Sequence, residues 1–153
     1  MIAVNPEQSR EAMEFLCESY WLPLYSYVRR RGYSAEDAQD LTQEFFARMM
    51  QNNRVARADQ QKGKFRSFLL TSMKNFLSDE WDKAHAQKRG SGVAPCSLHF
   101  DDGERTYEME PVNNVTPEQL FERRWALTLL DNVVTRLRDE HESAGKLELF
   151  NLL

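Results

Sequence analysis

Cysteine is scarce in this chain of 153 residues, and the two that occur, Cys17 and Cys96, are far apart. They form no CxxC motif and have no spaced histidine partners, so the sequence indicates neither a disulfide framework nor a zinc site. Long apolar runs are missing as well, because the early run Ile2-Ala3-Val4 ends at Asn5-Pro6 and nothing later approaches the roughly 18 apolar residues of a membrane span. We therefore expect a cytoplasmic protein without metal or cofactor.

The chain also lacks the motifs of common enzymes. It has no glycine-rich phosphate cradle, no HExxH, and no Ser or Cys nucleophile beside a plausible base, and its three histidines are scattered. We expect no catalytic activity.

The chain has a formal net charge of -4, and its charged residues are unevenly distributed. Residues 54–90 are net positive, whereas residues 101–122 carry seven acids against Arg105 alone. Two partners with different surfaces would suit such a distribution. With 41% apolar residues, the chain can bury one ordinary core.

Apolar spacing predicts helices throughout, and neither a strand pattern nor an internal repeat is present. A first helix follows Pro6, is interrupted or kinked at Pro23, and stops at Gly32. Ser34 resembles an N-cap for a second helix, whose apolar stripe is Ala38, Leu41, Phe45 and Met49.

The second half of the chain continues this pattern. Residues 52–63 are expected to form a polar loop, and a long helix is expected from Phe65 to about Gly90. Residues 91–115 are expected to be mostly irregular. Thr116-Pro-Glu-Gln119 resembles a capping box for a helix to about Glu140, with one more short helix after Gly145.

The segment Lys62–Gly90 combines this helical pattern with cations and with aromatic residues near its ends. Cations bind phosphates, and aromatic faces stack on unpaired bases, so the segment suits single-stranded or partly melted nucleic acid better than closed duplex. Phe68, Phe76 and Leu77 lie on the apolar stripe and are expected in the core, while Phe65 and Trp81 could be exposed.

Three stretches carry a family resemblance: 24–32 (LYSYVRRRG), 35–46 (AEDAQDLTQEFF), and 65–70 (FRSFLL) followed by 74–77 (KNFL). In order and spacing they resemble region 2 of the extracytoplasmic-function (ECF) branch of the bacterial sigma-70 family, the RNA polymerase sigma factors. Residues 116–137 are similar to the helix that opens region 4 of that family.

The resemblance implies an all-α fold of three domains or segments. Residues 1–90 would be a sigma region 2 bundle of three to four helices, 91–115 an irregular acidic linker, and 116–153 a partial start of region 4. The family's helix-turn-helix for the minus-thirty-five element would lie beyond Leu153, so we expect a fragment or a naturally shortened form.

The resemblance also implies partners and site residues. RNA polymerase core would be bound through its clamp helices, and the residues that match this docking segment are Asp37, Asp40, Leu41, Gln43, Glu44 and Phe45. Promoter DNA would be bound at the non-template single strand of the melted minus-ten element, with the loop 52–63 holding a flipped base. The DNA-binding candidates are Asn52, Asn53, Arg57, Gln60, Lys62, Lys64, Phe65, Arg66, Lys74, Asn75, Trp81, Lys83, Lys88 and Arg89.

Two alternatives remain open at this point. The acidic residues and the polar loop could be no more than solvated surface. The whole chain could also be a non-catalytic helical interaction module, acting as a decoy or as the partner of an anti-sigma factor without promoter recognition.

Overall fold

The computed structural model describes residues 6–51, 64–79, 99–110 and 114–152, and all regular structure in these ranges is α-helical. The helices are α1 (Pro6–Arg30), α2 (Ala35–Gln51), α3 (Lys64–Asp79), α4 (Phe100–Glu108), α5 (Pro117–Ser143) and α6 (Leu147–Asn151). The predicted all-α fold is confirmed. None of the described helices is both long enough and apolar enough to cross a bilayer.

Helix α1 supplies the centre of the core. Cys17, Leu24, Tyr27 and Val28 are completely buried on it. The helix continues through Pro23, although a proline removes one backbone hydrogen bond at that turn. It ends as predicted at Gly32, whose φ of +105° is readily adopted only by glycine.

Helix α2 begins after Ser34, whose Oγ accepts a hydrogen bond from the backbone N–H of Asp37 at 3.1 Å. The predicted N-cap is therefore confirmed. The predicted apolar stripe is also confirmed, since its four members are buried in the core: Ala38, Leu41, Phe45 and Met49.

Helix α3 packs its apolar stripe into the core beside α2. Leu69, Met73, Phe76 and Leu77 are buried, and the Phe76 ring lies 5.8 Å from the Phe45 ring of α2. The core positions predicted for Phe76 and Leu77 are confirmed, whereas Phe68 is only partly buried. The part of the predicted helix from 80 to 90 lies outside the described residues.

Helix α4 is a regular element within residues 91–115, a segment that the sequence analysis expected to be mostly irregular. Residues 100–108 form a helix that docks on α1, with the Phe100 ring 5.4 Å from Trp21 and 5.6 Å from Tyr25. Gly103 is needed for this approach, because a Cβ atom at that position would lie 2.6 Å from the Trp21 ring. The tertiary contacts therefore form a helix that the local sequence does not specify.

Helix α5 begins with the predicted capping box. The Gln119 backbone N–H donates to Thr116 Oγ1 at 3.1 Å, and the Gln119 side chain accepts from the Thr116 N–H at 3.0 Å. Leu120 and Phe121 are completely buried, so the first turns of α5 join the same core as α1. The predicted short helix after Gly145 is present as α6.

Candidate nucleic-acid interface

Four polar side chains lie on the side of α2 that faces away from the core, namely Asp37, Asp40, Gln43 and Glu44. We call this surface the acidic face of α2. All four are partly exposed, and the helical spacing of 37, 40 and 44 puts the three carboxylates on one side of the helix. Glu44 accepts a hydrogen bond from Arg48 Nε at 2.9 Å within the same helix. The face therefore presents negative charge, with Arg48 at its edge.

The other two candidates for polymerase binding have a different position. Leu41 and Phe45 are 2% and 3% exposed and belong to the core. In this conformation they fix the orientation of α2 instead of offering an apolar surface to a partner.

Helix α3 has its own exposed side, formed by Ser67, Thr71, Asn75 and Ser78. We call it the polar strip of α3. Only Asn75 was a sequence-based candidate, because short hydroxyl side chains carry no pattern that separates a binding face from ordinary helix surface. The strip offers hydrogen-bond donors and acceptors of the kind that contact phosphates and bases.

Two aromatic rings flank the amino-terminal end of this strip. Phe65 and Phe68 stack at 6.3 Å with an interplanar angle of 30°, and Phe65 meets Tyr20 of α1 edge-on at 5.7 Å. Both are partly buried against the core. Phe68 lies seven residues before Asn75, on the same side of α3. Although the sequence predicted a core position for Phe68, it joins Phe65 as an aromatic candidate for nucleic-acid binding.

Two cationic candidates of α3, Arg66 and Lys74, form ion pairs with α5. Arg66 Nε lies 2.8 Å from Glu122 Oε2, and the Arg66 guanidinium stacks on the Trp125 ring at 3.9 Å. Lys74 Nζ lies 3.2 Å from Glu118 Oε1. Both cations are thus engaged by the first turns of α5, through Glu118, Glu122 and Trp125.

The Glu118 carboxylate is well suited to its position. Its pKa is lowered chiefly by a hydrogen bond from its own backbone N–H at the start of the helix, with further contributions from Lys74 and Arg31. Carboxylates are favoured near a helix amino terminus, where the free N–H groups point outward. Glu118 therefore stays ionised, and Lys74 faces a full negative charge.

A partly buried ionic cluster holds α4 against α1. Arg29 donates two hydrogen bonds to the Glu104 carboxylate, at 2.9 and 2.7 Å, and the Tyr25 hydroxyl donates to the same carboxylate. The Arg29 hydrogen bonds lower the pKa of Glu104, while burial and the neighbouring carboxylate raise the pKa of Tyr25. Both groups keep the charge state that the cluster needs at neutral pH.

A second ionic cluster connects the end of the α4 segment to α5. Glu110, with a side chain only 3% exposed, lies 2.6 Å from Arg124 Nε and 3.3 Å from Arg123 Nε. The two clusters fix where α5 starts and hence which of its residues reach α3.

Lys64, also predicted to bind DNA, is the first residue of α3. The remaining DNA-binding candidates lie outside the described residues: Asn52, Asn53, Arg57, Gln60, Lys62, Trp81, Lys83, Lys88 and Arg89.

Residues 16–87 match the family model for sigma-70 region 2. Over these residues the chain is similar to sigma-70 region 2. The matched range includes the acidic face of α2 and the polar strip of α3 and ends before α4. No curated protein and no solved structure shows significant similarity to the chain.

Sigma-70 region 2 is a non-catalytic part of sigma factors that binds RNA polymerase and promoter DNA and takes part in promoter melting. The match therefore relates the domain that carries both faces to transcription initiation.

Proposed function

We propose that the protein is an ECF-type sigma factor, or part of one, that works in the cytoplasm. It docks on the clamp helices of RNA polymerase core and captures the melted minus-ten element of promoter DNA. The observation that carries the proposal is the location of two chemically different faces, one acidic and one polar with aromatic ends, on adjacent helices of the sigma-70 region 2 match.

The acidic face of α2 supports the docking step. Carboxylates arranged along one side of a helix are attracted to a basic surface and set the register of the encounter. Leu41 and Phe45 hold α2 in position from the core side, while Asp37, Asp40, Gln43 and Glu44 would make the contacts.

The polar strip of α3 supports the DNA step. Unstacking a base step costs a few kcal/mol, and stacking one base on an aromatic ring returns about 1 to 3 kcal/mol. Phe65 and Phe68 are positioned to offer such a ring beside the strip. One domain cannot offset the cost of melting alone, so the polymerase must supply the remaining contacts, and binding by the free chain should be weak and sensitive to salt.

The docking step is tested by reversing charge on the acidic face. Asp40→Lys with Glu44→Lys should lower retention on immobilised core RNA polymerase at least tenfold, because two attractive contacts become repulsive. Glu14→Lys with Glu18→Lys makes the same change in net charge, four residues apart on exposed positions of α1, and should leave retention unchanged. Equal retention of both variants would contradict docking through α2.

The same assay separates the alternative function. A decoy or anti-sigma partner would be retained by a small helical inhibitor protein and not by core polymerase. That result would indicate a helical interaction module without promoter recognition, whereas retention by core polymerase supports the proposal.

A further inference from the structure

The first turns of α5 place two carboxylates and one aromatic ring against the cations of α3. Glu118, Glu122 and Trp125 are spaced four and three residues apart and so lie on one side of α5. Glu122 and Trp125 both contact Arg66, and Glu118 contacts Lys74, eight residues further along α3. Two separate points of α3 are therefore engaged by one face of α5.

This arrangement is held by the fold around it. Leu120 and Phe121, between the two acids in sequence, are completely buried. The Thr116 capping box fixes the start of α5, and Glu110 engages Arg123 and Arg124 from the preceding segment. Glu118 and Glu122 therefore reach α3 because the start of α5 is anchored in the core.

A carboxylate and a backbone phosphate require the same donors. Both are oxyanions that pair with guanidinium and ammonium groups through short charged contacts. The Arg66 Nε that contacts Glu122, and the guanidinium face that lies on Trp125, are not available to a nucleic acid at the same time. The same competition holds for Lys74 and Glu118.

We infer that the start of α5 is a built-in competitor for nucleic acid, in which Glu118 and Glu122 occupy the phosphate-binding cations of α3 until α5 is displaced. This inference rests on the proposed function, since it assigns a regulation to the α3 surface of that proposal. Displacement is feasible because the four ion-paired side chains are 27 to 46% exposed and so remain accessible to solvent and salt.

The test compares binding of a fluorescein-labelled single strand of minus-ten length by the full chain and its variants, measured as anisotropy over a range of salt. Glu118→Gln with Glu122→Gln removes both charges at nearly constant shape and should tighten binding about three- to tenfold. The slope of log affinity against log salt should steepen by about 1.4, for two phosphates newly contacted. Asp139→Asn with Glu142→Gln removes equal charge from exposed positions further along α5 and should change binding less than twofold.

A second pair of changes separates the two proposals. Arg66→Ala and Lys74→Ala are added to the Glu118→Gln, Glu122→Gln variant. The gain in single-strand affinity should then be abolished. If the double glutamine variant binds like the unmodified chain while loss of the two cations weakens binding, the competition is refuted and the DNA role of α3 stands. If loss of the cations changes nothing in either background, including the case in which no variant binds, both the DNA role of these cations and the competition fail.

A covalent lock gives an independent readout. A carbodiimide activates the Glu118 carboxyl, and attack by Lys74 Nζ forms an amide while the carboxyl oxygen leaves with the urea by-product. The 3.2 Å separation predicts this cross-link in the free chain, detectable by peptide mass spectrometry. The cross-linked chain should bind the strand no better than the unmodified chain even at low salt. Absence of the cross-link in a chain whose helical circular dichroism is intact would overturn the inference.

Discussion

The exposed sides of α2 and α3 differ in which part of the chain supplies the ion-pair partners of their charged residues. On α2, Glu44 of the acidic face pairs with Arg48 of the same helix. On α3, Arg66 and Lys74 pair with α5, an element outside the sigma-70 region 2 match. The Glu44–Arg48 pair therefore lies within the sigma-70 region 2 match, whereas the ion pairs of the α3 cations depend on α5.

The difference implies an order of events in the proposed function. Docking on polymerase through α2 can precede DNA capture, and displacement of α5 would then make the α3 cations available where the promoter is melted. The following predictions alter the anchoring of α5, the docking of α4, or the α3 surface, in decreasing order of their effect on stability or binding.

The largest effect is expected from Phe121→Ala, which deletes a completely buried ring that anchors α5. The free energy of unfolding should fall by about 3 to 5 kcal/mol, from lost burial and the cavity that remains. Urea unfolding followed by circular dichroism measures this loss in the free energy of unfolding. Leu130→Ala on the same helix removes a side chain that is 59% exposed and should cost well under half as much; similar losses for the two variants would show that α5 is not anchored as described.

A smaller effect is expected from Glu110→Gln, which removes the carboxylate between Arg123 and Arg124. The loss should be about 1 to 3 kcal/mol, because a nearly buried charged contact is replaced by weaker hydrogen bonds. Single-strand binding should tighten at the same time, since the start of α5 is less firmly held. Glu108→Gln, on an exposed position two residues earlier, is the matched control and should change neither quantity.

The acid dependence of stability should identify the Glu104 cluster. The pKa of Glu104 is below its ordinary value because of Arg29, so its stabilising contribution is present above about pH 4.5 and is lost as the pH falls through the lowered pKa. Glu104→Gln should therefore lower the melting temperature near neutral pH and flatten its decline between about pH 5 and about pH 3. A variant that declines as steeply as the unmodified chain would remove Glu104 as a source of that pH dependence.

The smallest effect on stability is expected on the polar strip. Asn75→Ala changes an exposed side chain and should shift the free energy of unfolding by less than about 0.5 kcal/mol. Affinity for the single strand should nevertheless fall about two- to tenfold if its amide makes one or two hydrogen bonds to DNA. Asn132→Ala, on exposed α5, should alter neither; equal binding by both variants would exclude Asn75 from the interface.

Much of the fold could be predicted from local signals. The Ser34 cap, the Gly32 stop, the Thr116 capping box and the apolar stripe of α2 depend on residues a few positions apart, and all of them occur in the structure. Helix α4 could not be predicted in this way. Its nine residues include a glycine and several acids, and it is held by contacts of Glu104 to side chains 75 and 79 positions away.

The candidate site shows the same limit. Helical spacing correctly separates the wet side of α2 from its core side, but the resemblance also implied contacts for Leu41 and Phe45, which the structure places in the core. The engagement of Arg66 by Glu122 joins residues 56 positions apart, and no local pattern encodes it. The local sequence thus separates exposed from buried positions on α2, while the tertiary fold determines which charged side chains pair with one another.

The most direct test is the affinity of the full chain for a minus-ten single strand, measured with and without RNA polymerase core. Weak, salt-sensitive binding by the free chain and at least tenfold tighter binding in the presence of core polymerase would support docking through α2 followed by capture on α3. Equal affinity in the two conditions, or no binding in either, would contradict this account.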